Sequence, residues 1–235
     1  HKKVEDAYTK SKTVVVETVI DSSKMMAMGM MGMMPGKSLK SMVDSADYEI
    51  LKTEFKRVTD YDIAMFDQMK PITTSAIYAM ALAEKELEGE GISGNPIDVY
   101  FASYGKRNGK EVIELETMME QAEMLYNGNT PEQQAEMLVK AVMDSVNSTE
   151  VTEGILDSYM EEDLDKMWEL AGEEEDPLMD MALLLDNRNT NWIGKLKPVL
   201  DKGEAFIAVG ALHLPGDVGL IELLKKEGYT LTPVK

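Results

Sequence analysis

The chain has 235 residues with 43 acidic and 24 basic side chains, a formal net charge of -19, and 44% hydrophobic content. That composition suits a folded globular protein. The negative field disfavours nucleic acid and anionic membrane surfaces as partners. No run approaches the ~20 apolar residues that span a bilayer, and the absence of cysteine removes thiol nucleophiles, Cys-ligated zinc and disulfides.

His1, Lys2 and Lys3 enter a helix in mid-stride, which suggests a segment upstream; residues 4 to 10 read as the end of that helix. TVVVETVI, 13 to 20, is β-branched enough to be a buried parallel strand, interrupted by Glu17. Residues 24 to 36, KMMAMGMMGMMPG, form the one biased segment and stop at a Pro-Gly turn signal. Adaptable packing or an apolar surface is the commoner use of such methionines, ahead of a Cu(I) site. Helical spacing returns over 38 to 56 and 62 to 88, with Pro71 marking a start or kink, and 96 to 108 favours a helix before Asn108-Gly109. VIELE, 112 to 116, is a short strand.

A long helical stretch then runs from Met118 to about 170, broken at Asn127 to Pro131, where Thr130-Pro131-Glu132 carries a new start signal. Glu173 to Pro177 is an acidic loop, Leu178 to Leu200 is helical, and Gly203 ends it. AFIAVG (205 to 210), Asp217 to Glu227 and YTLTPV (229 to 234) read as strand, helix and strand, a βαβ unit. The expected fold is α/β: one domain over 1 to 235, with a central mixed sheet of strands near 13, 111, 205 and 229, covered by helices. A helical insertion is expected from about 118 to 195.

His213 in Gly210-Ala211-Leu212-His213 follows a hydrophobic strand, where open α/β sheets place their crevices; a hydrogen-bonded structural histidine is the competing reading. Glu17 in a buried strand needs a partner or a cation, unless it stands at an edge and meets water. Glu114 and Glu116 lie two apart and share a face, so either can join Glu17. Arg188, in Asp186-Asn187-Arg188-Asn189, either pairs with a carboxylate or steadies an oxyanion, or belongs to a polar helix surface.

VVVET, PGKSLK after the methionines, PIDVYFASYGKRNGKEVIELETMMEQ, NRNTNW and VGALHLPGDVGLIELLKKEGYTLTPV, in this order, resemble the TraB/PrgY/GumN family, which includes the Tiki proteases. The resemblance implies a metal-dependent hydrolase of peptide or amide bonds, related in fold to erythromycin-esterase and ChaN-like proteins. It implies a divalent ion, Mn, Co or Zn, held by His213 and Glu17, with Gly210 as the motif glycine, Glu116 as general base and Arg188 at the oxyanion. Asn187, Asn189 and Gln121 are expected near the substrate, a peptide or small protein. The family's first Gly-x-x-His has no counterpart here, and His1 falls too late to be it. The resemblance and the missing cysteine suggest export, and the methionines suggest self-association or a partner. A non-catalytic protein capturing a peptide on the Met-rich segment is the rival expectation.

Overall fold

The computed structural model describes residues 2–87, 97–147, 150–173 and 181–234. His1, Glu174 to Pro177 of the expected acidic loop and the start of the following helix lie outside them. In chain order the elements are α1 (Lys2–Lys10), β1 (Thr13–Val16), α2 (Met25–Met31), α3 (Leu39–Met42), α4 (Ser45–Thr59), α5 (Pro71–Leu87), α6 (Ile97–Arg107) and β2 (Glu111–Glu114). Then come α7 (Met118–Asn127), α8 (Pro131–Asn147), α9 (Glu150–Met160), α10 (Leu164–Glu173), a π-helical turn (Ala182–Asp186), α11 (Asn187–Lys202), β3 (Ala205–Ala208) and α12 (Leu220–Lys226).

These elements divide into two compact units, one of 1–20, 95–118 and 151–235, the other of 21–94 and 119–150. The first is α/β. Its sheet has the order β2-β1-β3, with both neighbours parallel to β1 and Val15 level with Ile113 and Ile207. The three valines of β1 explain its central place: alternating side chains leave both faces apolar, as a parallel strand covered on two sides requires. Val14 and Val16 pack with Tyr8 and Ala102 on one side, and Val15 packs with Leu115, Trp192, Leu196 and Leu220 on the other. Gly105 lets α6 lie close on the sheet, since a Cβ there would come within 3.1 Å of Val112 Cγ2 and 3.3 Å of Val14 Cγ2.

The sheet is parallel throughout the described residues, not mixed, and its described strands end with β3. YTLTPV, expected as a fourth strand, is irregular. Gly228 turns the chain at φ +93, the Tyr229 hydroxyl bonds Asp201 on α11 at 2.6 Å, and Pro233 has no N–H to give a ladder. The strand expected over 13 to 20 is ordered as a ladder only to Val16, so Glu17 stands just past its end.

The second unit is helical. Its core gathers Leu39, Leu51, Phe55, Val58, Ile63, Tyr78, Leu138 and Val142. The stretch expected as one helix over 38 to 56 is two, because Asp44 caps a fresh start by accepting from Ala46 N at 2.8 Å. The Thr130 start signal holds: Thr130 Oγ1 accepts from Gln133 N at 3.2 Å while Gln133 Oε1 accepts from Thr130 N at 2.9 Å, a reciprocal cap ahead of Pro131. Within this unit α2 presents Met25, Met26 and Met30 to solvent, at 54%, 81% and 72% exposure.

Candidate functional site

Each strand of the parallel sheet delivers one group to the same spot beyond its carboxyl end. Glu17 is the first residue after β1, Glu116 comes two after β2, and Gly210 and His213 follow β3 on a tight 3-10 turn closed by His213 N to Gly210 O at 3.0 Å. This is the end of a parallel sheet where ligand crevices form. The fourth group, Arg188, arrives from α11, immediately after the π-helical turn. Such turns locally displace the register of a helix. Here the turn's Leu184 carbonyl accepts from Arg188 Nη1 at 3.0 Å.

Arg188 is the hub. Its Nη2 donates to Glu17 Oε2 at 2.7 Å and to Glu116 Oε1, its Nε to Glu116 Oε1 and Oε2 at 3.0 and 3.2 Å, and its Nη1 to His213 Nε2 at 3.1 Å. With the Leu184 bond, all five N–H donors of the guanidinium are engaged. Burial alone would lower the Arg188 pKa, but the hydrogen bonds and charges of Glu116 and Glu17 outweigh it and hold the pKa above its ordinary value. The guanidinium also lies 4.8 Å from the Trp192 ring, a cation–π arrangement.

His213 is 4% exposed. Its Nδ1 is 2.7 Å from Asn189 Oδ1, and the Asn189 amide nitrogen donates to Val218 O at 2.9 Å. Burial pushes the His213 pKa down to about 4; Glu17 and Glu116 pull it up and Arg188 pushes it further down. The imidazole is therefore neutral near pH 7, packed 4.4 Å from the Trp192 ring.

Glu17 Oε1 accepts from Gly210 N at 2.6 Å. A Cβ on Gly210 would stand 3.2 Å from that oxygen and 3.6 Å from His213 Cδ2, so the motif glycine serves close approach here and needs no unusual dihedral, its φ being -56. Glu116 Oε2 also accepts from Trp192 Nε1 at 3.3 Å.

Glu17, Glu116, Arg188, Gly210 and His213 thus come together. Glu114 does not join them; it accepts from Val19 N at 3.1 Å. Asn189 is buried and turned onto His213, Asn187 is exposed on α11, and Gln121 belongs to the other unit. Trp192, which touches three members of the cluster, was visible in the sequence only as the residue closing NRNTNW. Two surface clefts of the same unit lie at the opposite, amino ends of the strands, around Thr13 and Glu111.

A divalent ion does not fit the cluster as arranged. Among the described residues no three carboxylate or imidazole groups are placed to hold one. Glu17, Glu116 and His213 are spread over the edge of a planar cation, the two carboxylates on Nη2 and Nε and the imidazole on Nη1, where an ion needs them to converge on one point at about 2.0–2.2 Å.

Among the described residues no helix is long and apolar enough to cross a membrane. The model of the TraB/PrgY/gumN family matches residues 1–233. No curated protein and no solved structure matches the chain.

Proposed function

The chain belongs to the TraB/PrgY/gumN family, and from that premise we propose that it hydrolyses peptide or amide bonds at the cluster of Glu17, Glu116, Arg188 and His213. The observation that carries the reading is that three parallel strands each send a titratable side chain past their carboxyl ends onto one guanidinium. Such preorganised charge, set where water is partly excluded, is what acyl transfer needs. The finer kinship of fold, to erythromycin-esterase and ChaN-like proteins, is part of the same proposal, as is export, which the absence of cysteine supports.

The role of base falls to Glu17 in this reading. Glu116 receives two bonds on each oxygen, from Arg188 and Trp192, whereas Glu17 receives one on each. A carboxylate offers about four lone-pair sites, so Glu17 keeps acceptor capacity for a water. That water's oxygen adds to the carbonyl carbon as its proton passes to Glu17, and the proton then goes to the departing amine. Arg188 fixes both carboxylates and the imidazole; steadying an oxyanion requires it to release one of those bonds. No step runs through a metal ion.

The test is cleavage of a mixture of quenched fluorescent peptides by the purified chain. Turnover abolished in Glu17→Gln and in His213→Ala, with unchanged circular dichroism, supports the reading. Turnover that survives both changes, or none in the parent protein, removes it. In the latter case the exposed Met25, Met26 and Met30 favour a second reading, capture of an apolar peptide without cleavage.

A further inference from the structure

The family resemblance carries a divalent ion with it, yet the groups expected to hold that ion are spent on a side chain of the protein itself. We propose that Arg188 takes the place of the cation: the cluster as folded is a metal-free ion network, and it becomes a divalent-metal site when the guanidinium is taken away. This concerns what occupies the cluster, and it holds whether or not the cluster hydrolyses anything.

Three observations carry it. The first is completeness. Glu17 Oε2, both oxygens of Glu116 and His213 Nε2 all receive hydrogen bonds from the one guanidinium. An ion at either oxygen of Glu116 or at His213 Nε2 has to displace an N–H already in place, and Glu17 alone keeps spare lone pairs. The second is charge. Two carboxylates and one guanidinium sum to about -1, and a divalent ion added beside Arg188 meets a fixed like charge at hydrogen-bond range. The third is anchorage. Arg188 is also tied to the Leu184 carbonyl of the π-helical turn and lies against Trp192, two contacts outside the ligand set that hold it inward.

Without the guanidinium, the two carboxylates and the imidazole are released from the nitrogens that hold them apart and are free to turn toward one point, and Asn189 Oδ1 at Nδ1 leaves Nε2 as the ligating nitrogen. That donor set of oxygen and imidazole suits Mn²⁺, Co²⁺ or Zn²⁺, and a histidine braced through its other nitrogen is how metal-binding imidazoles are usually held.

The experiment is calorimetric titration of Mn²⁺, Co²⁺ and Zn²⁺ into the parent chain, Arg188→Ala, and Arg188→Ala with His213→Ala, with thermal unfolding recorded in parallel. The expected result is no stoichiometric site in the parent, a one-to-one site in Arg188→Ala whose occupancy raises its unfolding temperature, and about a tenfold or greater loss of affinity in the double variant. The proposal is overturned if the parent binds one ion and loses it on His213→Ala, or if folded Arg188→Ala binds none. Should Arg188→Ala not fold with or without metal, the parent decides: a site sensitive to His213→Ala overturns the proposal, and none supports it.

Discussion

Asn189 Oδ1 and His213 Nδ1 lie 2.7 Å apart, and this contact belongs to a chain in which every proton has one possible place. Arg188 Nη1 can only donate, so His213 Nε2 accepts and the ring proton sits on Nδ1, facing Asn189. Asn189 in turn is oriented by giving its amide N–H to Val218 O. Asn189→Ala leaves the Nδ1–H buried without an acceptor, at a cost of about 1–3 kcal/mol. Urea unfolding measures that cost, and imidazole nitrogen shifts report the tautomer. An unchanged tautomer and stability in the variant contradict the assignment.

Acid weakens the fold through His213. Its folded pKa, about 4, lies below the unfolded value near 6.5, so the unfolded chain takes up the proton first. The stability it represents is complete above about pH 6.5 and is lost as pH falls toward 4. A shift of that size corresponds to about 3 kcal/mol. The parent protein therefore loses about that much more than His213→Gln between pH 7 and pH 4. Parallel slopes for the two proteins in denaturant titrations across that range refute the account.

Much of the site was legible before the fold because its residues offend local rules. A glutamate after VVV and a histidine after AFIAVG are polar groups at the ends of apolar strands, which is where a parallel sheet gathers chemistry. Glu116 and Glu114 were indistinguishable, since both share a face; only the departure of the chain after β2 sends Glu116 to Arg188 and Glu114 to Val19. Arg188 stood out as a candidate to pair with a carboxylate, but its place as the hub was hidden. Arg188 is 171 residues from Glu17 and 72 from Glu116, and no periodicity links such positions. The π-helical turn before it reads, as ALLLD, like any helix. The fourth strand was overread, because YTLTPV has strand propensity but a proline and a side-chain tether to α11.

The two glutamates are not equivalent in stability. Glu116→Ala strips Arg188 of its bidentate partner and leaves Trp192 Nε1 without that acceptor, so it costs about 3–5 kcal/mol, the range for breaking a buried ion pair. Glu17→Ala leaves Arg188 still paired with Glu116 and frees one Nη2 N–H of Arg188 and the Gly210 N–H at an exposed residue, so its cost is smaller. Chemical denaturation of the two variants checks the order. If Glu17→Ala is the more damaging, Arg188 is not the hub that the hydrogen bonds describe.

Glycines 210 and 216 separate an effect on the site from an effect on the fold. At Gly210 the backbone is open to any residue, φ -56, and an added methyl meets Glu17 Oε1 at 3.2 Å and His213 Cδ2 at 3.6 Å. Gly210→Ala displaces Glu17 from the Gly210 N–H, so hydrolysis falls by about a hundredfold, the scale of a misplaced catalytic group, while stability falls by no more than about 1 kcal/mol. At Gly216 φ is +86, and the methyl would stand 2.7 Å from Trp168 Cζ2, inside the ring's contact distance. Gly216→Ala therefore combines left-handed strain with overpacking and costs about 2–4 kcal/mol. Peptide turnover and urea unfolding, measured on both variants, should move in opposite proportion. A Gly210→Ala protein with full turnover removes Glu17 from the chemistry, because nothing else at that glycine is placed to feel the methyl except His213.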